Sequence, residues 1–159
     1  MTKRILVILC GLIVWPAAIN AAGRGPYELY ARPIRLVINR LGKEDADFKR
    51  VCELMREGRN FRYRMHHPYR ASSPEITEAL REGCCKDKSL WLAARINDAS
   101  IRYVYGRARP DSPALHAWLL WDFGGYSWVL DCTNHSKPLR LDRLPSGEYL
   151  AMYEWKKGD

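Results

Sequence analysis

Between residues 44 and 57 the apolar positions recur three and four apart. Phe48, Val51, Cys52 and Met55 form one stripe and predict an amphipathic helix. Glu44 and Asp45 suit its first turn, Arg56 its last, and Gly58 is its natural stop. Cys52, on the stripe, reads as a packing residue or a disulfide partner rather than a reactive thiol. A second helix is predicted after Ser73, which can cap it, with Pro74 at its first position and Glu75 and Glu78 in its first turn. Ile76, Ala79 and Leu80 form its expected inner side, and Gly83 its end. A third helix follows over residues 85–97, with Leu92, Ala93 and Ile96 facing inward.

The period then falls to two. Residues 100–105 read as a strand, with Ile101, Tyr103 and Tyr105 on one side and Arg102 and Val104 on the other. Pro110 and Pro113 break the chain. Residues 115–123 and 126–132 are two strands around Gly124-Gly125, a strong hairpin signal. A weaker strand is expected over 137–144 and a short last one over 149–155. Before the first helix the pattern is poor. Residues 27–31 read as a short helix or an arm, and residues 33–41 are apolar without a period that types them. Asn60 to Met65 alternates apolar and basic residues, a short extended segment. His66 and His67 follow in a loop, with no cysteine or carboxylate at ligand spacing, and read as surface histidines.

The first 21 residues stand apart. Lys3 and Arg4 precede an apolar run from Ile5 to Trp15, shorter than a membrane span of about 20 residues. Pro16 breaks the run, and small residues around Ala21 and Ala22 offer a cleavage site. Residues 1–21 are therefore expected to be a signal peptide and residues 22–159 a single exported domain, periplasmic or secreted, with no stable membrane insertion after cleavage. The net charge of +8 becomes +6 without Lys3 and Arg4. Its basic residues are scattered, so a solvated basic face is the reading, and no nucleic-acid partner is expected, although Arg59, Arg62, Arg64 and Arg70 interleave with Phe61, Tyr63 and Tyr69. No pattern fixes an oligomeric state.

Candidate chemistry centres on Gly83-Cys84-Cys85-Lys86-Asp87-Lys88. A cysteine at a helix start meets free backbone N–H groups and the positive end of the dipole, which favours the thiolate nucleophile. The hairpin supplies partners for it. With a two-residue loop Phe123 pairs with Tyr126, Trp118 lies opposite Asp131, and His116 is the diagonal neighbour of Asp131. With a four-residue loop His116 faces Asp131 directly. Either even loop puts both side chains on one face, whereas an odd loop or a bulge separates them. Cys85, His116 and Asp131 are thus a nucleophile, a proton carrier and an orienting carboxylate. The backbone N–H of Cys85 is one candidate for the oxyanion hole, and a side chain from the Asn60–Tyr63 segment another.

These motifs, in order, resemble the transglutaminase-like superfamily: Ser73-Pro74-Glu75, Gly83-Cys84-Cys85-Lys86-Asp87-Lys88, His116-Ala117-Trp118, and Trp128-Val129-Leu130-Asp131-Cys132-Thr133. Within it the chain is most similar to the bacterial transglutaminase-like cysteine proteinases. The resemblance implies an α+β, papain-like core with the nucleophile helix packed on an antiparallel sheet. It implies Cys85, rather than Cys84, as the nucleophile of a Cys85–His116–Asp131 triad. It also implies a cysteine peptidase or amidase that acts on a protein or peptide through a thioester, with no cofactor. Two positions depart from the usual pattern: Cys84 stands where Asp is common and Cys132 where Pro or Asn is. Some bacterial members bind calcium through acidic residues flanking the nucleophile. Cys84 and Lys86 take those places here, so no metal is expected. Transamidation by the same triad and a non-catalytic binding module are the alternatives. A metal site of Cys84, Cys85, Cys132 and His135 ranks last, for lack of paired C-x-x-C spacing. One disulfide is expected among Cys52, Cys84 and Cys132.

Overall fold

Four helices precede most of the strands. A computed structural model describes residues 28–42, 46–67, 69 and 71–159, so the expected leader and the helix-start residues Glu44 and Asp45 lie outside the described residues. Helix α1 spans Glu28–Ile38 and runs through Pro33. The untyped segment is therefore helical. Ala31, Ile34, Ile38 and Leu41 recur at three and four residues and are all buried, a stripe that the internal proline disguises.

Helix α2 spans Phe48–Arg59, and its N-cap is Asp47, whose carboxylate accepts the Arg50 N–H at 3.2 Å. Val51, Leu54 and Met55 are buried, while Cys52 is only half-buried. Gly58 does not stop the helix but lies inside it. An ideal Cβ there would sit 2.7 Å from the Trp91 ring and 2.9 Å from Cys132 Sγ, so the glycine permits close packing rather than termination. The chain then forms β1, Arg62–Tyr63.

Helix α3, Pro74–Leu80, begins as expected: Ser73 Oγ accepts the Ile76 N–H at 3.3 Å. Its orientation differs from the expectation. Ile76 and Leu80 are 52% and 62% exposed, Ala79 is exposed as well, and Thr77 is the buried residue. The helix ends at Arg81, in the left-handed conformation, rather than at Gly83. Glu82–Gly83 instead form β2, which pairs in parallel with β1 in the register Arg62–Glu82 and Tyr63–Gly83.

Helix α4, Cys85–Ile96, is buried along nearly its whole length and packs on α1, α2, α3 and the sheet. Its Trp91 meets Phe61 at a ring distance of 4.6 Å. The sheet comprises β3 (Arg102–Arg107), β4 (His116–Phe123), β5 (Tyr126–Leu130), β6 (Leu139–Arg140) and β7 (Leu150–Trp155). Its order is β6-β5-β4-β3-β7, antiparallel at every pairing. The strand expected over 137–144 shrinks to β6 and a 3-10 turn over Leu141–Arg143.

Tyr103, Ala117, Leu119, Trp121 and Leu130 pack toward the helices. Val104, Trp118, Leu120, Val129 and Tyr149 form a smaller cluster against Leu139, Leu141 and Leu144. Both faces of β4 are therefore covered, and Ala117–Trp121 is buried throughout. That accounts for a continuous apolar run where a half-exposed strand would alternate. The β4–β5 hairpin has the two-residue loop, with Phe123 opposite Tyr126 and Leu119 opposite Leu130.

Candidate active site

Four contacts, all to Asp87, fix where α4 begins. Gly83 leaves room for the following turn, since an ideal Cβ there would lie 2.8 Å from Asp87 Cβ. Cys84 is extended, and its N–H donates to Asp87 Oδ2 at 3.0 Å. Asp87 Oδ1 accepts from the Tyr69 hydroxyl at 2.9 Å and the Ser72 N–H at 3.0 Å, which ties the segment before α3 to the helix start. Cys85 thus occupies the first helical position, where backbone N–H groups lack helical partners and negative charge is favoured.

One turn later the Ser89 hydroxyl donates to the carbonyl of Ala117 at 3.1 Å. Ala117 follows His116, so this bond pins the nucleophile turn to the start of β4. The His116 ring hydrogen-bonds the Cys85 thiol on one side. On the other, Nε2 donates to Asp131 Oδ2 at 2.9 Å. With Nε2 committed to the carboxylate, Nδ1 is the nitrogen left for sulfur. Trp118 stacks on the imidazole, with ring centres 6.3 Å apart. The three residues singled out by sequence, Cys85, His116 and Asp131, therefore meet in one hydrogen-bonded row.

Asp131 is buried, yet its carboxylate is saturated with donors. Oδ2 also accepts from the Tyr149 hydroxyl at 2.9 Å and Asn134 Nδ2 at 2.8 Å. Oδ1 accepts the backbone N–H groups of Thr133 at 3.1 Å and Asn134 at 3.3 Å. Sequence reasoning did not find Tyr149, Asn134 or Ser89. Only Asn134 carries a local signal, an amide three residues beyond the carboxylate, while the other two arrive through tertiary packing.

The electrostatics follow from these bonds. Burial penalises the Asp131 charge, but hydrogen bonds from His116, Asn134 and Tyr149 outweigh it and hold the carboxyl below its ordinary value. Burial likewise opposes the imidazolium of His116, but the bonds and charges of Asp131 and Cys85 raise its pKa to about 10. For Cys85 the hydrogen bond from the Cys84 thiol is the largest influence and lowers its pKa; burial opposes it, and His116 lowers it further, so the thiol sits well below its ordinary value. Cys84 moves upward, through that same bond, burial and the Asp87 charge. The three directions together favour a thiolate–imidazolium pair anchored on a carboxylate. It can attack an electrophilic carbon and return a proton to a leaving group.

The remaining cysteines do not bridge. Among the described residues Cys52, Cys84, Cys85 and Cys132 are all free thiols, so the expected disulfide among Cys52, Cys84 and Cys132 does not form. Cys132 is buried against Gly58 and points at the Lys88 carbonyl, 3.7 Å away. Cys84 is engaged with Cys85, and Cys52 sits half-buried on α2. No group of three metal-ligating side chains comes together among the described residues, so Cys84, Cys85, Cys132 and His135 do not form a site. The surroundings of Cys85 also do not fit calcium, which takes oxygen ligands. Asp87 spends both oxygens on Tyr69, Ser72 and Cys84. The Lys86 ammonium lies over the rings of Tyr69 at 4.2 Å, Tyr30 at 5.1 Å and Tyr105 at 5.5 Å, placing a fixed cation beside the nucleophile.

No family model and no curated protein matches the sequence. Among solved structures the chain is similar to Legionella pneumophila LapG in its calcium-bound form, with TM-score 0.57 and 15% identity over 80% of this chain and 72% of that one. A second LapG structure gives TM-score 0.55 and 15% identity over the same shares, 80% and 72%. The likeness shows the fold of this chain: α+β and transglutaminase-like, with the helix that carries Cys85 packed on an antiparallel sheet.

Proposed function

We propose that this protein is an exported cysteine hydrolase that cleaves a peptide or amide bond through a thioester on Cys85. The observation that carries the reading is the His116 ring, bonded to the Cys85 thiol and, at 2.9 Å, to a buried, five-fold hydrogen-bonded Asp131. The Cys85 thiolate attacks the substrate carbonyl and forms the C–S bond. His116 gives its Nδ1 proton to the leaving amine. The imidazole then takes a proton from water, which attacks the thioester and restores the thiolate. Asp131 keeps Nε2 protonated and stabilises the imidazolium throughout. A peptide or protein substrate accords with the motif resemblance to the transglutaminase-like cysteine proteinases, and export rests on the pattern of residues 1–21. Labelling of purified protein with a thiol-directed activity probe tests the assignment. Cys85→Ser abolishes labelling and Cys84→Ser leaves it; persistent labelling of Cys85→Ser refutes the reading.

A further inference from the structure

Attack on a carbonyl moves a negative charge from sulfur to oxygen, and that charge needs at least two preorganised donors. One is the backbone N–H of Cys85, which has no helical acceptor at the first turn of α4. We infer that the second is the phenol of Tyr63, which makes Tyr63 a catalytic residue of the thioester-forming step; the inference rests on the proposed hydrolase reading.

The backbone sets up this placement. The parallel pairing of β1 with β2 puts Tyr63 beside Gly83, two residues before the nucleophile. Backbone bonds from Arg62 N to Arg81 O at 2.9 Å and from Arg64 N to Gly83 O at 3.2 Å lock the register. Glu82 is gripped by the guanidinium groups of both Arg62 and Arg64, which flank Tyr63 and close a clamp across the two strands. From beneath, the buried Lys88 ammonium donates to the Phe61 carbonyl at 3.1 Å and ties the segment to α4 itself. The hydroxyl of Tyr63 consequently lies within hydrogen-bond reach of both the Cys85 thiol and the Cys85 backbone N–H, and burial with the neighbouring thiolate charge raises its pKa to about 12. It is a phenol, not a phenolate, at any working pH, and therefore a donor.

Tyr63 is 51% exposed, so it stands at the open rim where a substrate carbonyl arrives. In the resting protein its O–H faces the Cys85 thiolate, whose charge is spread over a large sulfur and holds a hydrogen bond more weakly than an alkoxide oxygen does. As the C–S bond forms, the carbonyl π pair moves to oxygen, and the same O–H and the Cys85 N–H turn to a strong anionic acceptor. When the intermediate collapses, the C=O is restored and the leaving group departs. A bond that is weak to the thiolate and strong to the oxyanion is differential, and so accelerates the step.

Two probes separate this role from others. p-Nitrophenyl acetate acylates a thiolate through a tetrahedral oxyanion, whereas iodoacetamide alkylates it by displacement with no oxyanion. In Tyr63→Phe the p-nitrophenolate burst slows about a hundredfold, while the rate of iodoacetamide alkylation changes less than about threefold, which also shows that the site is folded. Acylation that is unchanged or faster in Tyr63→Phe overturns the inference, the latter by showing that the phenol blocks the hole. An equal loss of both reactions overturns it too, because Tyr63 would then be supporting the thiolate. A burst that survives in Cys85→Ala refutes the proposed function instead, so the two failures are distinguishable.

Discussion

Burial by itself would leave Cys85 protonated and His116 neutral, and the hydrogen bonds around them reverse both preferences. The sign of each shift fixes a pH dependence. A thiol whose pKa is lowered keeps its thiolate as the medium becomes acidic and loses it only when the pH falls through the lowered value. His116, with its pKa at about 10, holds the leaving-group proton until the pH rises through that value. Alkylation of Cys85 by iodoacetamide is therefore expected to proceed almost as fast at pH 6 as at pH 8. The urea-unfolded chain is expected to lose about a hundredfold over the same interval, as a thiol with pKa near 8.5 does. Stopped alkylation followed by peptide mass spectrometry measures both rates. Equal pH slopes for folded and unfolded chains would remove the ion pair from the account. Hydrolysis should decline above about pH 10, as His116 gives up its proton.

At the scale of elements, α3 is the informative case, because its sequence pattern points the wrong way round. Ile76 and Leu80 form an apolar edge, yet they face solvent, and Thr77 is turned inward against Gly83. The helix is held by its ends instead: the Ser73 cap at one end, and at the other the β1–β2 pairing that immediately follows Arg81. Thr77 Oγ1 is buried with no hydrogen-bond partner among the described residues. Thr77→Val, which keeps the shape and removes the hydroxyl, should raise stability by about 1 kcal/mol. Leu80→Ser should change it by less than about 0.5 kcal/mol, where an inward leucine would cost roughly 2–5 kcal/mol on truncation. Urea denaturation midpoints at constant m-value decide between these orientations. The opposite ranking would mean that the apolar edge is the packed one.

Across the whole molecule, what sequence reveals of the site depends on how far apart in the chain the partners are. His116 and Asp131 flank a two-residue hairpin loop, so pairing arithmetic alone brings them to one face. Cys85 is legible because a helix start has a local signature. Tyr149 is not, for it reaches Asp131 only after the chain has built the sheet edge and returned. Its aim depends on the β3–β7 pairing, whose register shifts between Tyr105 and Gly106. Gly106 allows that shift: an ideal Cβ would stand 2.1 Å from the Leu150 carbonyl and 3.0 Å from the Trp118 ring. Tyr149, just before β7, carries a φ of 52°, uncommon for a residue with a side chain, and its N–H donates to Ala108 O at 3.1 Å. The edge strand thus aims a phenol at the carboxylate from the far side of the sheet. Tyr149→Phe should remove one charge-assisted bond from Asp131, weaken its hold on the imidazolium, and move the acid limb of Cys85 alkylation up by about one pH unit. Gly106→Ala touches neither Asp131 nor Tyr149, yet it should produce a shift of the same sign, together with a stability loss of about 1–3 kcal/mol from the forced repacking. If Gly106→Ala destabilises the fold while the acid limb stays put, the bulge is packing alone. If both variants move the limb together, the C-terminal strand is part of what keeps the thiolate charged.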